Sequence, residues 1–430
     1  MKKHIISATI LASLAGLGAC SVEATGDFDT RDQALVAGSN LYAPGWRKGA
    51  KDQYAELQSG KQKADAQLIK QMANTPQAVW LTGGTPAEAS KQARQVTNKA
   101  ADDGSVPVLV AYNIPFRDCA QFSAGGATNP DEYKAWIDGV AAGIDQKSAI
   151  VILEPDGLGI IPWYTTINGE LEWCQPAEAD PATAAEERFD MLKYAVATLT
   201  SLPNVDLYLD GTHSAWLGVG DISDRLAKAN VELTNGFYLN ASNYQFTANL
   251  VQYGSWISKC LASGNFAGCA NQYWNGGPDG TQIADLLGAW TGVALSNYGE
   301  WSDDATDPAL NTSGINARFA GLEGSAHFVI DTSRNGQGPW LPPADHPPGD
   351  AQDWCNPPDR GLGLTPSLDT GLELVDGYLW IKVPGESDGQ CNRWAPGGSP
   401  DPVRGMMDPA AGVWFPEQAL ELVHFAEPAF

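Results

Sequence analysis

Three aspartates, Asp118, Asp156 and Asp388, each follow a short apolar run of the chain. Two carboxyl groups on either side of a glycosidic bond can hydrolyse it, because one protonates the leaving oxygen while the other acts as nucleophile or activates water. The acid must keep its proton near neutral pH, and burial or a neighbouring negative charge achieves this by raising its pKa. Asp156 comes directly after an apolar run, and Asp118 could supply the neighbouring charge. The pattern indicates acid–base chemistry, although a single aspartate at a strand end is more often structural.

The tryptophans indicate the same class of substrate. The chain has 15 of them, and five lie on or just beyond predicted strand ends: Trp80, Trp216, Trp354, Trp380 and Trp394. Indole rings stack on the apolar C–H faces of sugars, although a lone tryptophan near a strand usually belongs to the core. Trp216 and Trp354 stand among Gly, His and Asn residues, so we predict that these two are sugar platforms.

Seven short apolar runs must position these residues. They are Ala78–Leu81, Val106–Ile114, Ala149–Leu153, Val205–Leu209, Gly236–Leu239, His327–Ile330 and Tyr378–Val383. Amphipathic stretches such as Pro181–Thr200 and Thr281–Trp290 separate them. Strands that alternate with helices pair in parallel through right-handed crossovers. The sequence therefore predicts an α/β fold, an incomplete parallel β/α barrel of about seven strands with long active-site loops.

Nearly every run ends in polar, chemically capable residues. In chain order from the second run they are Arg117 and Asp118, Glu154 and Asp156, Asp210 and His213, Asn240 and Asn243, Asp331 and Arg334, and Lys382, Glu386 and Asp388. In β/α barrels the C-terminal ends of the strands build the active site. We therefore expect a cleft lined with carboxylates.

Composition and rival motifs exclude other classes. The chain has 26 basic against 51 acidic residues, a net charge of −25, which excludes a nucleic-acid phosphate binder. Five histidines without clustered His/Cys spacing argue against a transition-metal centre, and Asp331–Gly336 does not fit an EF-hand, so no metal or cofactor is predicted. Gly385–Gly389 matches the G-x-S-x-G elbow of serine hydrolases, but a loop follows it and only His424 could serve as base, so we take the match as chance.

The N-terminus resembles an export signal. Lys2 and Lys3 precede an apolar stretch, and Leu17-Gly18-Ala19-Cys20 resembles a lipobox in which Cys20 is acylated. We predict a signal peptide over 1–19, a flexible tether over 20–38 and one catalytic domain over 39–430. The product is expected to be a cell-surface or periplasm-facing lipoprotein, or a secreted protein, and a monomer that meets the membrane only through a lipid anchor. An ordinary signal with Cys20 as a bystander is the alternative.

Six further cysteines indicate disulfides, because an even number in an exported chain is typical of them. Six cysteines allow 15 connectivities. Proximity in sequence suggests three pairs that would hold loops together: Cys119 with Cys174, Cys260 with Cys269, and Cys355 with Cys391.

The strand-end segments resemble those of glycoside hydrolase family 6, the cellobiohydrolase and endoglucanase family. The matching segments run in the family's order: Val110–Cys119, Val151–Asp156, Leu209–Trp216, Val329–Gly336, Trp354–Pro358 and Trp380–Gly389. Gly157 departs from the pattern, since the family more often carries Ser or a larger residue there.

This resemblance implies inverting hydrolysis of β-1,4-glucan. It assigns Asp156 as general acid, Asp118 as the residue that tunes the acid's pKa, and Asp388 as the proposed base. The other assigned side chains contact substrate: Tyr112 beside the distorted sugar, Lys382 and Glu386 at sugar-binding positions, Trp216 and Trp354 as platforms, and Asp210 and His213 lining the cleft, where we also place Arg117 and Asn240. The family pairs the cysteines at Cys119 and Cys174 and at Cys355 and Cys391.

The mode of attack depends on two loops. Ala120–Asn129 is short, as in the family's endoglucanases, whereas the loop from Asp388 to Pro416 is long, as in its cellobiohydrolases. We favour an endo-acting or mixed-mode cellulase. The alternatives are a cellobiohydrolase that releases cellobiose from non-reducing ends and, in another class, a non-catalytic glucan-binding lipoprotein.

Overall fold

A curled sheet of seven parallel strands forms the centre of the protein. The computed structural model describes residues 38–273 and 293–430. The strands are β1 (Val79–Leu81), β2 (Val108–Ala111), β3 (Ala149–Leu153), β4 (Val205–Asp210), β5 (Gly236–Leu239), β6 (His327–Asp331) and β7 (Val375–Leu379), in that order across the sheet. Beside the two outer strands, the Ala78 N–H donates to the Trp380 carbonyl at 2.9 Å. The incomplete β/α barrel predicted from the sequence is confirmed.

Helices surround the sheet. Those of the described residues are α1 (Lys48–Ser59), α2 (Lys63–Asn74), α3 (Pro86–Asp102), α4 (Pro130–Ile144), α5 (Ala184–Thr200), α6 (Val219–Lys228), α7 (Thr247–Ser263), α8 (Ser313–Arg318) and α9 (Pro416–His424). Helix α5 confirms the helix predicted over Pro181–Thr200, with its start three residues later. The helix predicted over Thr281–Trp290 lies outside the described residues.

Both faces of the sheet are buried, which explains why its strands read as nearly continuous apolar runs. Alternate residues point to opposite faces. Leu109 and Val151 are fully buried and pack in the cluster that contains the helix residues. Val110, Ile152 and Tyr208 fill the interior of the barrel. The filled interior leaves the C-terminal edge of the sheet as the place for a cleft.

Strand β7 differs from its prediction, because it spans Val375–Leu379 rather than Tyr378–Val383. The strand begins with Val375-Asp376-Gly377, which is not an apolar run, but Asp376 is buried because it accepts a hydrogen bond from Tyr208 at 2.7 Å. The apolar residues after the strand form a buried turn instead. The N–H groups of Ile381 and Lys382 in this turn donate to the Asp331 carboxylate at 3.2 and 2.9 Å. These bonds take the place of the backbone hydrogen bonds that a longer strand would make. Strand β2 is likewise shorter than predicted.

Helices α3 and α4 fix the spacing of β2 and β3, the strands that lead to Asp118 and Asp156. Helix α3 begins with a capping box, in which Thr85 and Glu88 each accept a hydrogen bond from the other's backbone N–H. In α4, a side chain at Gly139 would place its Cβ 2.2 Å from a carbonyl oxygen of α3. The absence of that side chain allows the two helices to pack closely.

The three disulfides that proximity in sequence suggests are present: Cys119–Cys174, Cys260–Cys269 and Cys355–Cys391. Within residues 38–273 and 293–430, every helix is too short or too polar to cross a bilayer. The predicted signal peptide, the tether up to residue 37 and the lipidation site Cys20 lie outside the described residues and stay predictions.

Candidate active site

A long cleft crosses the C-terminal edge of the sheet. It consists of two adjoining cavities of about 330 and 450 Å³ that share Asp118, Asp156, Asn243 and Trp354 in their walls. The first cavity extends past His213 and Trp216, and the second past Tyr112, Lys382, Glu386 and Asp388. The structure therefore brings together most of the residues that the sequence predicts, with two of the three aspartates where the cavities meet.

Asp156 is placed by an irregular turn directly after β3. Glu154 and Asp156 have φ angles of 49° and 62°, a left-handed conformation that is rare outside glycine and typical of functional sites. Burial raises the pKa of the Asp156 carboxyl well above its usual range, and the negative charges of Asp210, Asp118 and Asp388 raise it further. These effects favour the protonated form of Asp156.

The turn around Asp156 is anchored from below by two buried charges. Glu154 is fully buried and accepts hydrogen bonds from the N–H groups of Asn113 and Ile114, which joins the end of β3 to the end of β2. Arg188 of α5 donates to the carbonyls of Gly157 and Ile160 at 2.9 and 2.8 Å. These bonds hold the backbone on both sides of the acid.

Asp118 follows β2 in a similarly constrained turn, with a φ of 57°. Its carboxylate accepts a hydrogen bond from the Ser123 N–H, and the adjoining Cys119 is tied to Cys174. Burial raises the pKa of Asp118 to about 6, against the opposing effects of the Ser123 bond and of Arg117. Above that pH the carboxyl group is negatively charged, and this charge raises the pKa of Asp156.

The pKa of Asp388 is lowered, whereas that of Asp156 is raised. Although burial by itself would raise its pKa, the charges of Arg334 and Lys382 hold the pKa of Asp388 at about 2. Arg334 donates to Oδ2 at 2.9 Å, Lys382 lies 3.2 Å from Oδ1, and Tyr244 donates to Oδ2 at 3.1 Å. The cleft therefore combines a protonated and an ionised carboxyl group.

Two predicted contact residues lie beneath the cleft rather than in its wall. Asn240 is fully buried, and its amide donates to the Asp331 carbonyl and accepts from the Gln245 N–H, so the structure does not place it where substrate could reach it. Asp210 is also buried and accepts from the backbone N–H groups of residues 158, 159 and 212. Burial raises the pKa of Asp210 to about 6. Both residues hold the loops in place, and Asp210 adds its charge to Asp156.

The wall of the second cavity contains an aromatic pair. Tyr112 meets Trp80 edge to face at 5.4 Å, and both line the cavity. The Arg117 guanidinium lies 4.6 Å above the Tyr112 ring. Arg117 also lines the cavity, but it donates to backbone carbonyls of Thr82, Tyr112 and Ser123. It stiffens the wall around Tyr112.

Two charged side chains that the sequence predicts as sugar contacts close this cavity. Lys382 is bound to Asp388 and to the Ser387 carbonyl at 3.1 Å. Glu386 pairs with Arg47, 3.1 Å away, on the segment before α1. Burial raises the pKa of Glu386, and the charges of Arg47 and Lys382 act against that increase.

Aromatic side chains line the first cavity. Trp216 lies 5.7 Å from the His213 ring, and burial lowers the pKa of His213 to about 3, which keeps the imidazole neutral. Trp354 lines both cavities, as expected of a platform between them. Trp380, in contrast, belongs to the core against Phe430, and its Nε1 donates to the Leu364 carbonyl. Trp394 lies beside His346.

Sequence reasoning missed several residues of the site. Tyr244 and Asn356 both bond to Asp388, and Trp173, with 52% of its surface exposed, lines the first cavity. Tyr298 joins Trp173 there and donates to Asp353. The position of Asn356 directly after Trp354-Cys355 was the available signal, whereas nothing in the sequence around Trp173 marks it as part of the cleft.

Comparison with known proteins agrees with this geometry. A family model described as glycosyl hydrolases family 6 matches residues 36–426. The chain is 33% identical over 365 residues to endoglucanase A of Cellulomonas fimi, covering 84% of this chain and 57% of the relative. It is 30% identical over 381 residues to a probable 1,4-beta-D-glucan cellobiohydrolase C of Aspergillus fumigatus, covering 84% of this chain and 71% of the relative. The chain thus spans a little over half the length of the first of these relatives.

Solved structures show the same fold. An endoglucanase from Mycobacterium tuberculosis, in complex with a thio-linked cello-oligosaccharide, superposes with a TM-score of 0.61 at 29% identity, over 92% of this chain and 99% of that one. The catalytic core of a cellobiohydrolase from Chaetomium thermophilum has a TM-score of 0.60 at 21% identity, over 93% of this chain and all of that one. The family match, the sequence identity and the arrangement of the cleft lead to one conclusion: the chain belongs to glycosyl hydrolases family 6.

Proposed function

We propose that this chain hydrolyses β-1,4-glucosidic bonds in cellulose and related β-glucans with inversion at the anomeric carbon. One observation carries the proposal: a single cleft contains Asp156, whose pKa is raised, and Asp388, whose pKa is held at about 2. Such opposed environments separate the roles of acid and base. Family membership and the relatives, which are named endoglucanase and 1,4-beta-D-glucan cellobiohydrolase, support glucan as the substrate.

In the proposed reaction, Asp156 transfers its proton to the glycosidic oxygen as the bond to the anomeric carbon breaks. A water molecule attacks that carbon from the opposite face, and its proton passes towards Asp388. Inversion of this kind requires the two carboxyl groups to stand about 6.5–9.5 Å apart, which leaves room for the water. Trp216 and Trp354 stack against glucosyl rings on the two sides of the bond, while Tyr112, Lys382 and Glu386 contact the sugar in the second cavity.

The experiment compares the purified chain with Asp156→Asn and with the exposed control Asp102→Asn on a soluble β-1,4-glucan. NMR spectra of the first product distinguish the anomers. We expect the α-anomer first, unchanged in the control, and a loss of kcat of about 10²–10⁴ in Asp156→Asn. A β-anomer as first product would overturn inversion. Tight binding without products across a panel of β-glucans would favour the non-catalytic glucan-binding protein instead.

We propose that cleavage is endo-acting or mixed. The rim of the first cavity is accessible, since Trp173 and Tyr298 are 52% and 36% exposed, and the short segment 120–129 supports an open cleft on the side of Asp118. Open clefts admit the interior of a chain. A fast fall in the viscosity of the glucan relative to soluble sugar release would support this mode.

A cellobiohydrolase is the second candidate. The long segment from Asp388 to Pro416 places Ala411 and Gly412 in the wall of the second cavity, which Tyr112 and Trp80 also line. A loop that covers this end would favour attack at chain ends. Steady cellobiose release with little change in viscosity would support exo action and exclude the endo mode.

A further inference from the structure

The segment between Asp388 and α9 contains two buried acids that the proposed reaction does not use. Asp401 and Asp408 are 0% and 1% exposed. Carboxylate oxygens of the two residues lie within 4.8 Å of each other and of Cys391 Sγ. Oδ2 of Asp401 and Oδ1 of Asp408 are buried without a hydrogen-bond partner. Such unpaired oxygens are costly, and a proton, a cation or a buried water molecule would each offset that cost.

The surrounding charges favour a proton over a metal ion. Arg393 donates to Asp401 Oδ1 at 3.0 Å, and Arg404, which is paired with Glu421, acts on Asp408 together with Arg393. The third atom of the cluster, Cys391 Sγ, is in a disulfide and offers no thiolate. A divalent ion would meet two guanidinium groups here, whereas two neighbouring carboxyl groups share one proton readily.

The direction in which the pKa of Asp408 shifts also favours a proton at this site. Burial and, to a smaller extent, the charge of Asp401 raise the pKa of Asp408 to about 6, against the opposing effects of the Asn356 bond, Arg404 and Arg393. Asp408 therefore holds the proton in mildly acidic solution. As the pH rises through about 6 the proton leaves to solvent, and two carboxylates then face each other in the protein interior.

Asn356 connects this pair to Asp388. Its Nδ2 donates to Asp408 Oδ2 at 2.9 Å, and its Oδ1 accepts from the Asp388 N–H at 2.8 Å. Its own N–H donates to Asp388 Oδ2 at 3.0 Å. The amide can make both side-chain bonds only in one orientation. The Ser387 hydroxyl and the Gly389 carbonyl accept from the same Nδ2 at 2.9 Å, so Asp408 is the one ionisable member of three acceptors that set the orientation in which Asn356 holds Asp388.

We propose that Asp408 is a positioning residue for Asp388, and that Asp408 and Asp401 share one proton whose loss weakens the hold of Asn356 on Asp388. The catalytic consequence rests on the proposed function, whereas the shared proton does not. Deprotonation separates the two carboxylates by repulsion, and Asp408 then moves relative to the Asn356 amide. Turnover falls as this occurs, at a lower pH than the loss of the Asp156 proton.

The test compares Asp408→Asn with Asp408→Ala and with the exposed control Asp102→Asn. The Asn variant keeps an acceptor for Asn356 and offers an N–H to Asp401, so it imitates the protonated acid. We expect it to retain turnover in mild acid and to lose the decline of kcat near pH 6. The Ala variant is expected to lower kcat by about tenfold with KM changed less than about twofold, because the sugar contacts are elsewhere. The control should follow the wild-type profile.

A second readout does not depend on activity. In protein labelled with ¹³C at its aspartate carboxyls, a resonance that titrates near pH 6 should disappear in Asp408→Asn and should titrate at lower pH in Asp401→Asn, which removes the Asp401 charge. If Asp408→Asn keeps the wild-type pH profile and every wild-type carboxyl titration, the proposal is wrong. A melting temperature that EDTA lowers and Ca²⁺ restores would replace the proton by a cation and also overturn it. An inactive wild type would refute the proposed function and leave the carboxyl titration to decide the shared proton.

Discussion

At the scale of single residues, the electrostatics of the cleft depend on which carboxylates have cationic partners. Asp388 is bonded to Arg334 and Lys382, whereas Asp156 is surrounded by Asp210, Asp118 and Asp388. Burial raises the pKa of both side chains, and the neighbouring charges then decide whether the net shift is upward, as for Asp156, or downward, as for Asp388. Changing one neighbour should therefore shift the pKa of Asp156 in a known direction.

We predict that Asp118→Asn moves the alkaline limit of activity to lower pH. Above about pH 6 the Asp118 charge raises the pKa of Asp156, so its removal lowers that pKa and the acid loses its proton earlier. The measurement is the pH profile of kcat on a soluble β-glucan. Asp102→Asn should leave the profile in place, and a shift of the limit to higher pH in Asp118→Asn would contradict the argument.

Sequence reasoning identified the charged residues better than the buried amides. Asp118, Asp156 and Asp388 follow apolar runs, and the cleft contains all three. Asn240 also follows an apolar run, but its amide is bonded to the Asp331 carbonyl of the next strand. Which neighbour a buried polar group meets depends on the packing of distant segments, and that information is absent from the local pattern.

At the scale of elements, the disulfides support particular loops of the cleft. Cys119–Cys174 joins the turn that carries Asp118 to the loop that carries Trp173. Cys260–Cys269 instead closes a sequence separation of 9 residues at the end of α7, and neither cysteine lines the cleft. Removing each disulfide in turn therefore separates an effect on stability alone from an effect on catalysis.

We predict that replacing Cys119 and Cys174 together by serine lowers the free energy of unfolding by about 3 kcal/mol and also lowers kcat. The loss of stability comes from the released loop, and the loss of turnover from the freed Asp118. Replacing Cys260 and Cys269 by serine should reduce stability by less, since the loop is shorter, and leave kcat unchanged. Chemical denaturation and steady-state kinetics on both double variants check this. Equal effects on kcat would show that the first disulfide has no particular role in the cleft.

The strands were predictable where apolar runs and hydrogen bonding coincide, as in β3 and β5, whose bounds match. Their bounds were not predictable where a side chain, rather than a neighbouring strand, takes the backbone hydrogen bonds. Strand β7 ends at Leu379 because Asp331 takes the N–H groups that follow, and Asp376 enters the strand because Tyr208 binds it. Both effects come from residues more than 40 positions away in the chain.

At the scale of the whole molecule, four buried acids among the described residues have folded-state pKa values raised to about 6 or 7. Burial raises the pKa of Glu154 to about 7 and those of Asp118, Asp210 and Asp408 to about 6. A group with a raised folded pKa contributes stability below its unfolded pKa, and that contribution is lost as the pH rises through the folded pKa. Asp388, with a pKa of about 2, has the opposite effect. It stabilises the fold above its unfolded pKa, and this contribution is lost in strong acid.

We therefore predict that the protein is most stable near about pH 4 and that its melting temperature falls as the pH rises from about 4 to about 7. The net charge of −25 at pH 7 acts in the same direction, because self-repulsion destabilises the compact state. Calorimetry across this range measures the slope. Glu154→Gln can still accept from the Asn113 N–H but cannot ionise, so it should flatten the decline near pH 7, while Asp102→Asn should not. A melting temperature that rises from about pH 4 to about pH 7 would mean that the four acids are ionised and well paired in the folded protein, contrary to the burial that sets their pKa values.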